Sequence, residues 1–185
     1  MRRFWAAKSL VPRDVFQSHH RCFTSSRTST QSESCNVPAA VFPTVFAYAD
    51  GASRGNPGRS GCGALLVDPS TGNVLASEVR YVGDHETNNV AEYHGLMLAL
   101  QLAQRHQATH VHVHMDSQLI VRQMQGLYRV KAINLRRLYQ QCKDLSAELP
   151  NVTFSHVARE ENCAADRLAN DAIDEFDART SAAAN

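Results

Sequence analysis

The fold is decided by the stretch VFAYADGASRGNPG, residues 45–58. Its first six residues are rich in strand-forming types and alternate in character, which predicts a β-strand that Asp50 closes. The remainder holds three glycines and a proline, which predicts a turn. A carboxylate at the end of such a strand lies where α/β proteins place their binding sites.

A second strand is predicted at VHVHM, residues 111–115, and Asp116 follows it directly. The helical pattern between the two strands favours a crossover, and a crossover joins parallel strands. We therefore expect Asp50 and Asp116 to lie at the same edge of one sheet.

Two further acids lie on predicted helices. Glu92 is in the first turn of a helix that begins near Asn89, on the same stripe as Leu96, and Asp166 opens a helix whose apolar face includes Ile173. Both carboxylates are expected to point inward. The alternative is that each is an ordinary helix-start acid favoured by the helix dipole.

The remaining pattern predicts an α/β fold with a mixed five-stranded sheet flanked by helices. After a turn at 54–60 we expect strands at 61–68, 74–81, 111–115 and 152–156, and helices at 89–106, 117–124, 132–148 and 163–178.

Five motifs in order and spacing resemble type 1 ribonuclease H from residue 45 to about 174. They are DGASRGNPG (50–58), GCGA (61–64), ETNNVAE (86–92), MDSQ (115–118) and ADRLA (165–169). The resemblance implies the ribonuclease H-like fold with sheet order 3-2-1-4-5. It also implies endonucleolytic hydrolysis of the RNA strand of RNA/DNA hybrids, with 5′-phosphate and 3′-hydroxyl products.

The same resemblance assigns the four acids to metal binding and catalysis. Carboxylate oxygens suit Mg²⁺, and two ions can activate the attacking water and stabilise the leaving oxygen. By the resemblance Asp50 bridges both ions, Glu92 and Asp116 hold the ion on the nucleophile side, and Asp166 holds the other. Mn²⁺ is expected to substitute for Mg²⁺.

Hybrid contacts are carried over from the family by position. The matching residues are Ser53, Asn56, Asn88, Asn89 and Gln118, with Ser117 beside them and Thr87 at a position that grips a DNA phosphate. Amides both donate and accept, as reading a 2′-hydroxyl requires. Two alternatives stay open: Asn56 serves its own turn, or Asn88 or Asn89 caps the helix.

The chain departs from the best-known bacterial pattern at two places. Residues 125–131 contain no long basic insertion, so we expect a weaker grip on the hybrid, with Arg129 and Lys131 as auxiliary contacts. The loop at 158–162 contains no histidine, and Arg159 and Asn162 are the candidate auxiliary residues there. Alternatively, Arg159 pairs with Glu160 or Glu161 on the surface.

Two other patterns have competing interpretations. His112, His114 and Asp116 spell H-x-H-x-D, which is found in zinc hydrolases, but strand alternation equally makes both histidines packed or hydrogen-bonded side chains. The pair at 136–137 is either part of a nucleic-acid patch with Arg129 and Lys131 or the solvated face of a helix.

Charge is distributed unevenly along the chain. Residues 1–32 carry six basic residues against Asp14, a net of +5, and the remainder carries 13 basic and 17 acidic residues, a net of −4. Residues 1–36 are rich in arginine and serine and resemble a mitochondrial presequence cleaved after Phe23. The alternative is a disordered basic tail. We expect a linker at 37–43, the catalytic domain at 44–178 and a disordered tail at 179–185.

Composition limits the function classes. The five cysteines are scattered without a CxxC pair, and no apolar run reaches the length of a membrane span, so we expect no membrane partner. The expected protein is a monomeric enzyme of the mitochondrial matrix that binds RNA/DNA hybrids, with the cytoplasm or the nucleus as alternative locations. The alternatives are a noncatalytic hybrid- or double-stranded-RNA-binding module and another nuclease of the same fold.

Overall fold

The computed structural model describes residues 43–183, which form five strands, four α-helices and one short 3-10 turn. In chain order these are β1 (Thr44–Arg54), β2 (Gly58–Val67), β3 (Val74–Glu86), α1 (Asn88–Arg105), β4 (His110–Met115), α2 (Gln118–Met124), α3 (Ile133–Glu148), β5 (Asn151–His156), the 3-10 turn (Arg159–Glu161) and α4 (Cys163–Ala183). The predicted presequence and residues 37–42 of the predicted linker lie outside the described part.

The five strands form one mixed sheet in the order β3-β2-β1-β4-β5. β1 to β3 make an antiparallel meander, whereas β4 runs parallel to both β1 and β5. The predicted fold class, strand order and parallel pairing of β1 with β4 are therefore confirmed.

The first three strands are longer than predicted. β1 does not end at Asp50 but continues to Arg54, because residues 50–54 pair with residues 59–63 of β2. The turn is accordingly shorter than the predicted 54–60, and β3 runs to Glu86 rather than residue 81. Asp50 still lies just beyond the last β1–β4 partner, Tyr48, so the carboxyl end of the parallel pair remains the site edge.

Helices cover both faces of the sheet. On one face Val45, Ala47 and Ala49 of β1 are fully buried in the main core, which α1, α2 and α3 share. On the other face Phe46 and Tyr48 pack beside a smaller core that includes Leu168 of α4. Each buried leucine or valine contributes roughly 1.5–3 kcal/mol. The two cores hold the sheet between α1 and α4, the helices that carry Glu92 and Asp166.

The helices differ from prediction chiefly at their ends. α4 extends to Ala183, so the predicted disordered tail is wrong for residues 179–183, which are helical. Within residues 43–183, no helix combines the length and the apolar character that crossing a membrane requires.

Candidate active site

Four carboxylates from four separate elements converge at the carboxyl edge of the parallel strands. Asp50 is on β1, Asp116 directly follows β4, Asp166 is in the first turn of α4, and Glu92 is on α1. Glu92 is in the second turn of its helix, not the predicted first turn, because α1 begins at Asn88. Asp50 and Glu92 are buried, at 6% and 9% exposure.

Close backbone approaches bring these elements together. A Cβ atom on Gly95 of α1 would lie 2.3 Å from the backbone oxygen of Asp50, so only glycine lets α1 pack this closely on β1. Gly63, the β2 partner of Asp50, similarly has no room for a Cβ beside Leu168 of α4. The sequence contains these glycines, but nothing local in it indicated that they set the spacing of the carboxylates.

The proximity of the four acids is evident in the electrostatics of Asp50. Burial raises the pKa of Asp50 to about 7, and the negative charges of Asp116, Asp166 and Glu92 add to the rise against the lowering effect of the Gly51 N–H. That N–H donates to Asp50 Oδ1 at 2.8 Å. The inward orientation predicted for Glu92 is thus confirmed, and Asp50 is the acid on which the other three charges act.

Glu92 is held by two donors. Asn88 Nδ2 donates to its Oε1 at 3.1 Å, and Ser117 Oγ donates to its Oε2 at 2.7 Å. Burial raises the pKa of Glu92 to about 7, the Ser117 hydrogen bond opposes the rise, and Asp116 adds to it. Asn88 and Ser117, both predicted as substrate contacts, therefore also position an acid.

The carboxylates of the two remaining acids each accept one hydrogen bond. Asn162 Nδ2 donates to Asp116 Oδ1 at 3.1 Å, and Arg159 Nη2 donates to Asp166 Oδ1 at 3.1 Å. The alternative pairing of Arg159 with Glu160 or Glu161 is wrong, because the 3-10 turn directs the guanidinium towards α4 instead.

The predicted hybrid-contacting residues border the acids. Asn56 Oδ1 accepts from the backbone N–H of Asn88 at 3.0 Å, which ties the β1–β2 turn to the start of α1. Ser53 Oγ donates to the backbone oxygen of Glu86. Half-buried Asn89 is the second residue of α1, and exposed Gln118 is the first of α2.

The residue that caps the N-terminus of α1 is neither of the two predicted candidates. Thr87, rather than Asn88 or Asn89, is the N-cap, and its side chain accepts from the N–H of Val90. Asn56 likewise does more than serve its own turn, since it bonds to α1. The amide side chains of Asn88 and Asn89 are thus not used for capping.

The histidines of β4 are packed or hydrogen-bonded, as one interpretation predicted. His112 Nδ1 lies 2.7 Å from Thr153 Oγ1, and His114 stacks on Tyr48 with ring centroids 5.0 Å apart. In the described range, no group of three or more histidine, cysteine or acidic side chains is placed so that it could hold a metal ion. The four acids are instead each held by the donors described above.

A separate group of cations lies on the α2–α3 loop and the first turns of α3. It comprises Arg129, Lys131, Arg136 and Arg137, all exposed. None of the four has a carboxylate within 4.0 Å in the part of the chain described, whereas six other arginines there are ion-paired: 54, 59, 80, 105, 159 and 179. We call this group the basic surface. It makes no described contact with the four acids.

Comparisons with known proteins agree with this fold. A family model described as reverse transcriptase-like matches residues 48–172. A bifunctional protein of Mycobacterium tuberculosis is 45% identical over 130 residues, which are 70% of this chain and 35% of the relative, so the chain spans about a third of that relative. Its solved N-terminal RNase H domain, fused to maltose-binding protein, has a TM-score of 0.69 at 44% identity, covering 75% of this chain and 98% of the solved one.

Two further proteins are similar over most of their own length. A ribonuclease HI of Halobacterium salinarum is 32% identical over 166 residues, covering 88% of this chain and 82% of the relative. The solved LC11-RNase H1, in complex with an RNA/DNA hybrid, has a TM-score of 0.67 at 42% identity, covering 71% of this chain and 98% of the solved one.

Proposed function

The chain belongs to the type 1 ribonuclease H family, and on that premise we propose that it is an endonuclease that hydrolyses the RNA strand of RNA/DNA hybrids. The observation that carries the proposal is the convergence of Asp50, Glu92, Asp116 and Asp166 from four elements, two of them buried. Buried carboxylates that raise one another's pKa destabilise a protein unless a ligand uses them.

By ligand type, though not by an arrangement formed before metal binds, the donor set suits divalent magnesium. All four groups are carboxylates, and hard oxygen ligands are those that Mg²⁺ prefers. Two ions, when bound, supply positive charge for the attacking water and the leaving oxygen of a phosphodiester, which gives 5′-phosphate and 3′-hydroxyl ends. Asp50, Glu92, Asp116 and Asp166 would hold these ions, and Mn²⁺ has the same ligand preference.

The protein's own contribution is to fix the carboxylates before substrate arrives. Asn88 and Ser117 hold both oxygens of Glu92, and the Gly51 N–H holds Asp50. Hydrogen bonds to ligating carboxylates orient them and tune their affinity for a cation. Such preorganisation is the main way in which a protein accelerates reactions of phosphate esters.

Recognition of RNA is assigned to the polar residues that border the acids. Asn56 accepts a hydrogen bond from the Asn88 N–H, and the Asn88 side chain donates to Glu92. The amide groups of the β1–β2 turn and of α1 therefore lie next to an acid of the cluster. An amide can donate to and accept from a 2′-hydroxyl, which distinguishes RNA from DNA. The related LC11-RNase H1 was solved with an RNA/DNA hybrid, which supports this assignment.

Phosphate affinity is assigned to the basic surface together with bound metal. Residues 33–185 have a net charge of −4, so acids outnumber cations in the part of the chain that contains the fold. The cations of the basic surface lack carboxylate partners among the described residues and are available to phosphates of the hybrid. The proposal therefore includes binding that weakens both with added salt and with removal of metal.

The mitochondrial matrix is the proposed location, on the composition of residues 1–36 alone. Their arginine-rich, acid-poor sequence is typical of presequences. This segment lies outside the described residues, and the proposal is independent of the catalytic one.

The test is an assay of the full chain on labelled RNA/DNA, RNA/RNA and DNA/DNA duplexes in Mg²⁺, Ca²⁺ or EDTA. We expect internal cleavage of the RNA strand of the hybrid alone, in Mg²⁺, and weaker binding in EDTA. Calcium is expected to support binding better than cleavage because its coordination is larger and looser. Binding without cleavage in Mg²⁺ would indicate a noncatalytic module, and cleavage of DNA/DNA would indicate another nuclease of the same fold.

A further inference from the structure

Asn162 is a fully buried amide within the carboxylate cluster. It lies between the 3-10 turn and α4, and its exposure is 0%, although Glu161 and Cys163 on either side are exposed. Burying an amide is unfavourable unless it is hydrogen-bonded, so its partners indicate why it is there.

Apart from the bond of its N–H to the Arg159 backbone oxygen, Asn162 makes three hydrogen bonds, and each lies at or beside a different acid of the cluster. Its Nδ2 donates to the backbone oxygen of Ala49, the residue before Asp50, at 3.1 Å, and to Asp116 Oδ1 at 3.1 Å. Its backbone oxygen accepts from the N–H of Asp166, also at 3.1 Å. One residue therefore joins β1, the end of β4 and the first turn of α4.

The chemistry of the partners sets the orientation of the amide. Ala49 and Asp116 both present acceptors, so the NH₂ group must face them, and its two protons are both used. The Oδ1 atom is then left buried, without a hydrogen-bond partner among the described residues. A buried acceptor without a partner lowers stability unless a water or an ion satisfies it, and a functional requirement is one reason why a protein keeps such an atom.

We infer that Asn162 is the positioning residue of the active site, which sets the separation of Asp50, Asp116 and Asp166 and orients the Asp116 carboxylate for a divalent cation. The inference deepens the proposed function and rests on it. A side chain with one donor could join only two of the elements, and a longer amide would not fit a site with no exposed surface.

The test compares Asn162→Leu, which has a similar shape but no donor, with Gln123→Met. Gln123 is a matched control because it is also a buried amide, and its Oε1 accepts from the Tyr93 hydroxyl at 2.6 Å. Each full-length variant is titrated with Mn²⁺ alone by calorimetry, melted by circular dichroism, and assayed for single-turnover cleavage.

For Asn162→Leu we expect weaker Mn²⁺ binding and slower cleavage, each by about tenfold or more, as is usual when a partner that orients a metal ligand is removed. Gln123→Met should lower the melting temperature but leave Mn²⁺ affinity and cleavage within about twofold of wild type. If Asn162→Leu does not fold, Asn162→Ala is measured at a temperature where its spectrum is native.

The inference would be overturned if the folded Asn162 variant kept its Mn²⁺ affinity and its cleavage rate within about twofold of wild type. Asn162 would then have a purely structural role. The Mn²⁺ titration separates this failure from failure of the proposed function. A wild-type protein that cleaves no hybrid refutes the function, whereas unchanged Mn²⁺ affinity in the variant refutes the role of Asn162.

Discussion

Arg159 donates to the Asp166 carboxylate at 3.1 Å, so a partly exposed acid of the cluster is paired with a cation. The two side chains are 76% and 32% exposed, so the pair contributes little to stability by itself. We infer that the pair matters through its position, because the guanidinium is held beside the proposed active site, where a phosphate oxygen or the leaving product can replace the carboxylate as its partner.

Arg159→Ala is therefore expected to lower single-turnover cleavage about tenfold, a loss of ~1.4 kcal/mol in barrier height, with little change in hybrid affinity. Arg179→Ala is the matched control, since Arg179 is 77% exposed and paired with Glu175 on the same helix. Rapid-quench kinetics measure both variants. Equal rates for wild type and Arg159→Ala would make Arg159 ordinary surface charge.

Asp50→Asn is expected to abolish cleavage while the fold persists. The substitution keeps the side-chain volume and an oxygen for the Gly51 N–H, but it removes the charge that cations need. The metal-free variant is expected to melt higher than wild type because repulsion within the cluster falls. Asp144→Asn, at an exposed acid that accepts from Gln140, should change neither quantity. Turnover near that of wild type in Asp50→Asn would remove Asp50 from the mechanism.

The raised pKa values of Asp50 and Glu92 predict how stability depends on pH without metal. Both pKa values are about 7 in the folded protein, well above ordinary carboxyl values. The folded state therefore keeps protons that the unfolded chain releases between about pH 4 and pH 7. The stability that these protons contribute is fully present below pH 4 and is lost as pH rises through 7.

In EDTA, the melting temperature is accordingly expected to fall between pH 6 and pH 8 by more in wild type than in Asp50→Asn. The additional fall is roughly 2–4 °C for each kcal/mol of stability that ionisation of Asp50 removes. The comparison between the two proteins cancels titration of groups elsewhere. The same pH dependence in both would show that Asp50 titrates normally. Added Mg²⁺ should stabilise wild type most at pH 8, where the carboxylates are ionised.

Arg129→Ala combined with Lys131→Ala is expected to weaken hybrid binding at low salt. The slope of log affinity against log salt should fall by about one for each phosphate that the variant no longer neutralises. Arg105→Ala is the control, since Arg105 is paired with Glu78 at the far end of α1. Fluorescence anisotropy between low and moderate salt measures the slopes. An unchanged slope in the double variant would leave the basic surface as solvated charge.

Residues 1–36 fused to a fluorescent reporter are expected to direct it into mitochondria and to be shortened near Phe23. Changing Arg2, Arg3 and Lys8 to glutamate is the matched control, which should leave the reporter in the cytosol because presequence import requires positive charge. Microscopy and the mass of the imported reporter give the result. Diffuse fluorescence from the unaltered fusion would refute the location.

Much of the site was predictable because its signals are local. Strand alternation and helical periodicity placed Asp50, Glu92, Asp116 and Asp166 at strand ends and helix starts, and the resemblance of five motifs to the ribonuclease H family implied the sheet order that is observed. Element ends were less predictable. β1 continues past Asp50 because its neighbour β2 supplies partners, and Thr87 caps α1 although Asn88 and Asn89 are equally good caps by type.

The sequence by itself determined which residues are candidates for the chemistry, because side-chain type and spacing along a strand or helix are properties of short segments. Only the tertiary structure decided how those residues are held. Asn162 bonds to Ala49 across 113 positions of sequence, and Arg159 pairs with Asp166 rather than with its own neighbours. The absence of a side chain at Gly95 lets the backbone of Asp50 pack directly against α1. Such interactions depend on the packing of α1 and α4 against opposite faces of the sheet, which no local pattern encodes.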